Sequence, residues 1–368
     1  MSFESGSVTF RLFLVEKPLP RNVVEAFARE AAPPIGRMGI DEVAGWVGGR
    51  HALDVPIDGD NARFGGYLRL AWMRAQRRVP SSLFRAHCAL EEVAAMKAAN
   101  KPFLGRRERS EIRRTVLARL LPQMPPQIRA VPFVVDHTDS ILYAPTMSEP
   151  LSDVFRAHFL RTTGVGLAPL DAGTAAAHRR RVDVSEWGRT SFSPDAGEEE
   201  VNESPGQDFL TWLWFAAEAR GGMLDDPAGQ PFGFMIEGPL LFEMAGAGAH
   251  ETVLRRGSPT ASIEARAALR AGKKLRRARL TVARGQASWH TTFDADLFGF
   301  RSLKLPESPD PHLDPVSRFQ ERILALGAFR ELFFRLFDRF LEDRCDSRRW
   351  ETCVGEIRAW IASREGRR

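Results

Sequence analysis

Residues 3 to 15, "FESGSVTFRLFLV", alternate apolar and polar positions and predict a strand. "PRNVVEAFAREA" follows with helical spacing and must stop before Pro33 and Pro34. "GYLRLAWMRAQRRVP" reads as a strand ending at Pro80, so residues 1 to 80 open the chain as a small α/β segment. "SSLFRAHCALEEVAAMKAAN" predicts a helix capped by Ser81 or Ser82 and running to about Asn100. A second helix is predicted from about Arg107 to Leu121, before Pro122, with Ile112, Val116 and Leu120 on one face and Arg109 and Arg113 on another. Together these predict a projecting helical hairpin over residues 81 to 125.

Over residues 126 to 170 the pattern predicts a ββαβ unit. "IRAVPFVVDHTDSILYAP" is a hairpin turning at "DHTD". "MSEPLSDVFRAHFLRTTG" is an amphipathic helix with Ser148 as cap and Gly164 as stop, and "VGLAPL" is a returning strand. Gly, Ser, Pro and charge dominate residues 171 to 207, which read as a linker or long loop. "DFLTWLWFAAEARGG" is a short apolar helix; residues 208 to 306 as a whole are β-rich, with "PTASIEARAALRAG" as one helix inside. Residues 307 to 368 are helical. Asp314 caps with Pro315 at the first helical position, and Phe319, Ile323, Leu326, Phe329, Phe333, Leu336, Phe337 and Phe340 form a wide aromatic stripe that suits a core or a subunit interface. Trp350, Cys353, Ile357 and Trp360 mark one side of a last helix. The fold class is therefore α+β: mixed sheets, a projecting helical hairpin and a helical C-terminal region.

Charge alters this picture more than composition does. The 368 residues carry a formal net charge of +5, which favours anionic partners, but only six of the 52 cations are Lys, a bias that base composition alone can produce. Three cysteines, Cys88, Cys345 and Cys353, form no CxxC pair, which argues against a disulfide framework or a zinc site and for reduced thiols. "MSFESGSVTF" lacks a basic and an apolar signal region, and no run of eighteen apolar residues occurs, so the expectation is a cytoplasmic protein without a membrane span. No Walker loop, HExxH or GxSxG elbow is present; "AGAGAH" at 245 to 250 lacks the third glycine of a dinucleotide loop. His87, His137 and His290 stand alone. The expectation is no catalytic residue, no metal and no cofactor. One enzymatic alternative stays open: Asp294 and Asp296 in "FDADLF" share a strand face and suit a metal-dependent nuclease.

Two basic clusters stand out. The first comprises Lys101, Arg106, Arg107, Arg109, Arg113 and Arg114. The second comprises Lys273, Lys274, Arg276, Arg277 and Arg279, where five of seven consecutive residues are cationic, with Arg255 and Arg256 before it and Lys304 after it. In a strand over 275 to 283, Leu280 and Val282 point inward while Arg277 and Arg279 share the other face. Rows of cations suit a nucleic-acid backbone, read through counterion release rather than base sequence. Few aromatics interleave, so base stacking is not signalled. An interaction or scaffold protein with an incidental basic surface is the remaining alternative.

The stretch "GRRERSEIRRTVLARLLPQMPPQIRAVPFVVDHTDSILYAPTMSEPLSDVFRAHFLRTTGVGLAPL" resembles the middle of the recombination-associated RdgC family, in which a basic helix ends in "LLP", a hairpin and a helix follow, and the segment closes with "PL". "SIEARAALRAGKKLRRARLTV" followed by "FDADLFGFRSLKLPE" is similar to the family's second signature, an "AGK" helix end before a strand and an "LK" strand. The resemblance is patchy but collinear over about residues 1 to 306. It implies a ring-forming homodimer around a positively charged hole, binding double- and single-stranded DNA without sequence preference. It also implies nucleoid association, restraint of the RecA recombinase, no cofactor and no catalysis. By motif, Arg106, Arg107, Arg109 and Arg113 match the basic helix and Lys273 matches the Lys of "AGK"; Arg255 and Arg256 fall near the family's basic residues. The family's hairpin tip can carry an aromatic, and here Ile128 takes that place.

Overall fold

A computed structural model describes residues 3–37, 42–195, 204–225, 230–244, 251–308, 310 and 312–363. In chain order the elements begin with β1 (Val8–Val15), α1 (Val23–Arg29), β2 (Val43–Gly48), α2 (Gly59–Ala62), β3 (Arg63–Phe64) and β4 (Tyr67–Arg77). The helices α3 (Ser81–Ala98) and α4 (Arg106–Leu120) precede β5 (Pro126–Asp136), β6 (Ile141–Ala144), α5 (Glu149–Thr163) and β7 (Leu167–Pro169). Then come α6 (Ala172–Arg180), α7 (Pro205–Ala219), β8 (Met223–Leu224), β9 (Phe232–Glu243), β10 (Thr252–Leu254) and α8 (Ile263–Arg270). β11 (Lys274–Arg284), β12 (Ala287–Asp294), β13 (Gly299–Lys304), α9 (Pro315–Arg344) and α10 (Ser347–Ala362) complete the chain. The result is mixed α/β with extensive antiparallel pairing.

Two compact units divide the chain: residues 1–18, 65–67 and 134–368 form the first, and 19–64 with 68–133 the second. In the first, the strand order is β10-β9-β11-β12-β13-β1-β6, antiparallel throughout, with β7 beside β1 and β8 beside β9. Val134, Val135 and Asp136 of β5 pair with β6 in that unit. The second unit carries the order β5-β4-β2.

Period-two alternation puts Ala278, Leu280 and Val282 of β11 and Trp289 and Phe293 of β12 in the core of the first unit, as expected for Leu280 and Val282. Helices α7 and α9 cover that face. Phe209 of α7 meets Phe333, Phe337 and Phe340 of α9 at ring-centroid distances of 5.7, 5.1 and 5.4 Å, and Phe300 of β13 meets Phe333 at 4.8 Å. The aromatic stripe of α9 is thus core rather than a free interface: Phe319, Phe329, Phe333, Phe337 and Phe340 are all buried. At the start of α7 a Cβ on Gly206 would stand 2.0 Å from the carbonyl oxygen of Ala295, so only glycine permits that approach.

In the second unit, Phe27, Trp46 and Phe133 pack mutually at 4.9 to 5.9 Å. Val79, Cys88, Val116 and Leu120 form a separate small core between α3 and α4, with Phe84, Ile112, Leu121 and Met124 against it. Two local expectations need correction, at Ser81 and over 171 to 207, whereas Ser148 and Gly164 bound α5 as expected. Ser81 is the first helical residue of α3 and Pro80 the cap, without a side-chain cap bond. Ser148 stands at the N-cap of α5 but makes no cap bond, while Gly164 closes that helix in the left-handed region at φ 69°. The predicted loop at 171 to 207 contains α6, started by a reciprocal pair of 2.8 Å hydrogen bonds between Asp171 and Thr174. A nine-residue alanine-rich helix is lost when composition is averaged over a much longer window. The Gly-rich 245 to 250 stretch lies outside the described residues.

Candidate nucleic-acid interface

The first cluster lies on and just before α4, in the second unit. Gly105 precedes the helix, and its backbone N–H donates to Glu108 Oε2 at 2.7 Å, satisfying one orphan donor of the first turn. Glu108 Oε1 accepts from Lys101 Nζ at 2.9 Å. That bond and the one from Gly105 hold the Glu108 carboxyl below the usual carboxylate range. Lys101 therefore works first as a partner of the capping acid. Arg114 faces Glu111 at 3.6 Å, but both side chains are largely exposed, so the pair contributes little. Arg106, Arg107, Arg109 and Arg113 are exposed and have no ion-pair partner among the described residues. At about 100° and 1.5 Å per residue, Arg106, Arg109 and Arg113 follow one side of the helix, Arg107 and Arg114 another, over about 12 Å of axis. The Arg109–Arg113 row runs beside the apolar row rather than opposite it: burial pushes the Cys88 thiol up, and the Arg113 charge pulls it partly back.

The second cluster, in the first unit, is another arrangement. Lys274 is 2 % exposed and its Nζ stands 2.6 Å from Asp208 Oδ1 of α7. Burial pushes the Asp208 carboxyl up, against the opposing pull of Lys274. Arg276 lies between Glu243 of β9 at 2.8 Å and Asp296 at 2.9 Å. Burial would lower its pKa; Asp296, Glu243 and Asp294 raise it above the ordinary arginine value. Arg277 Nε donates to Asp294 Oδ2 at 3.0 Å, and the two residues are cross-strand partners on β11 and β12. Three cations thus meet four acids within the fold: Lys274 is interior, and the partly exposed Arg276 and Arg277 are paired with acids instead of forming the unpaired phosphate-facing row the sequence predicts. Lys273 is half-buried and donates to Thr252 Oγ1 at 2.6 Å. Arg255, Arg256, Arg279 and Lys304 are exposed.

The same contacts correct the nuclease alternative. Asp294 is fully buried against Arg277 with Arg301 at 3.7 Å, and Asp296 accepts from Ser204 and Gln207, each at 2.9 Å, besides pairing with Arg276. Both carboxylates are committed to cations. Among the described residues no group of three His, Cys, Asp or Glu side chains is placed to hold a metal ion. His290 Nδ1 bonds to Thr281 Oγ1 at 2.9 Å on the next strand.

A third concentration of cations escapes sequence reading. Arg344 at the end of α9, Arg358 on α10 and Arg189 between α6 and α7 line one cavity of about 400 Å³. Arg189 lies in the stretch read as a linker, 155 positions before Arg344 by residue number, so no local run signals the grouping. Arg344 is sandwiched between Trp187 and Trp350 at 4.5 and 4.9 Å from the ring centroids.

No protein-family model matches the chain, and no curated protein matches it. Among the described residues no helix is long and apolar enough to cross a membrane.

Proposed function

We propose that this chain is a DNA-binding protein without sequence preference, working as a homodimer on double- and single-stranded DNA. In this reading it modulates recombination by limiting the access of RecA to DNA, catalyses nothing, needs no cofactor and associates with the nucleoid. One observation carries the DNA-binding part: Arg106, Arg107, Arg109 and Arg113 stand exposed on the first half of α4 and, among the described residues, have no acid partner. From Arg106 to Arg113 the helix advances about 10 Å, a length of duplex axis that carries about six phosphate charges. The collinear likeness to the RdgC family supports the recombination part, and its "LLP" helix is the helix that bears these arginines.

The test is binding to random-sequence duplex DNA across a salt series with EDTA present. Log affinity should fall linearly with log salt. Replacing the four arginines by Gln should reduce the slope by about three to four, at about 0.9 for each phosphate that is no longer neutralised. No binding at low salt, or an unchanged slope in the variant, overturns the reading.

A further inference from the structure

The cavity at the junction of α9 and α10 has no role in the reading above, and α4 takes no part in it. Its lining carries Arg189, Arg344 and Arg358 against one acid, Glu351, a net charge of +2. Ser347 and Thr190 add hydroxyls, the latter already accepting from Trp350 Nε1 at 3.1 Å.

Arg344 is the unusual member. It is 8 % exposed, and its Nε is buried without a hydrogen-bond partner. Its Nη2 donates to the carbonyl oxygen of Gly188 at 2.9 Å, and no carboxylate stands within ion-pairing distance of it among the described residues. Burial lowers its pKa from the ordinary arginine value while Asp208, farther away, raises it. Arg358 is half-buried and spends Nε and one terminal nitrogen on a single acceptor, the Ser191 carbonyl at 3.2 and 2.9 Å. It too has no acid partner among the described residues. A buried cation without a counterion is costly, and this fold keeps Arg344 in that state, with the half-buried Arg358 lining the same open volume.

The geometry points to a binding site for a phosphate monoester in this cavity, held by Arg344 and Arg358, with Arg189 on the exposed side. A monoester carries about −1.5 to −2 at neutral pH, opposite in sign to Arg344 and Arg358, and guanidinium forks suit its oxygens. The volume accommodates a phosphate with an attached sugar, so the group arrives either as the terminal phosphate of a nucleic-acid strand or on a phosphorylated small molecule.

Calorimetric titration of the full chain decides the matter. The probes are inorganic phosphate, deoxyadenosine 5′-monophosphate, and a short single strand with or without a 5′-phosphate. The monophosphate should bind saturably, and at least about tenfold more weakly to Arg358→Gln and to Arg344→Lys, which keeps the charge and loses the fork. Melting curves monitor folding, and Arg358→Gln carries the test if Arg344→Lys does not fold. A phosphorylated strand binding at least about tenfold tighter than both the unphosphorylated strand and the mononucleotide identifies a strand end. Equal binding by the mononucleotide identifies a phosphorylated small molecule. Absence of saturable binding by every phosphorylated probe, or binding unchanged in Arg358→Gln, overturns the site.

Discussion

Replacing Lys274 by Met separates a structural lysine from a DNA-facing one. The side chain is almost wholly buried, and its ammonium stands 2.6 Å from the equally buried Asp208, joining β11 to α7. Met fills a similar volume and leaves Asp208 without its cation, which for a buried pair costs about 3–5 kcal/mol. For a unit of this size that corresponds to a melting point lower by about 6–20 °C. The loss depends on pH with a definite sign. The Asp208 carboxyl is already raised by burial, and removing Lys274 raises it further above its unfolded value of about 3.9. Between those two pKa values the folded chain holds a proton that the unfolded chain has released, so stability of the variant rises as pH falls through that window. Melting curves should therefore show a smaller deficit at about pH 5 than at about pH 7.5, and pairing the change with Asp208→Leu should recover part of it. DNA binding by the folded variant should keep the full salt slope. A loss below about 1 kcal/mol, or a slope reduced by about 0.9, would refute the assignment of Lys274 to the interior.

Two other outcomes test separate parts of the structure. Alkylation of the native chain near neutral pH should modify the exposed Cys345 first; Cys353, buried and pushed up to about 11, and the buried Cys88 should react only after denaturation, as peptide mapping of the labelled chain would show. Leu120→Ala removes the apolar end of α4 from the small core it shares with Val79, Cys88 and Val116; a loss of about 2–4 kcal/mol in chemical denaturation is expected, together with weaker DNA binding, whereas equal binding at full stability would uncouple α4 from the interface.

The elements were mostly legible because each signal is local. Pro315 after Asp314 starts α9, Gly164 ends α5, and the Leu280–Val282 alternation seats β11, all within a few residues. Availability of charge is not local. Among the described residues Arg106, Arg107, Arg109 and Arg113 have no ion-pair partner: the helix itself offers only Glu108 and Glu111, which face Lys101 and Arg114. The β11 cations meet acids from α7, β9 and β12, positions that a run of basic letters cannot reveal.

One of these pairings can be counted from the sequence. "RLTVARGQASWHTTFD" contains one glycine, and Gly285, at φ +57°, sits first in a two-residue turn, as a type II′ hairpin requires. Pairing Arg284 with Ala287 across that turn and counting outward puts Thr281 beside His290 and Arg277 beside Asp294, the register observed. The carboxylate that suggested a metal ligand and the arginine that suggested a phosphate contact are therefore cross-strand partners by counting alone. Each loses its separate functional reading once both are placed on one hairpin. The Arg189–Arg344–Arg358 grouping admits no such count, because it joins a segment between helices to two helices through tertiary packing alone. A charged run on a strand needs its neighbouring strands assigned before it signifies a ligand, whereas a charged run at the start of a helix can be judged from the helix itself.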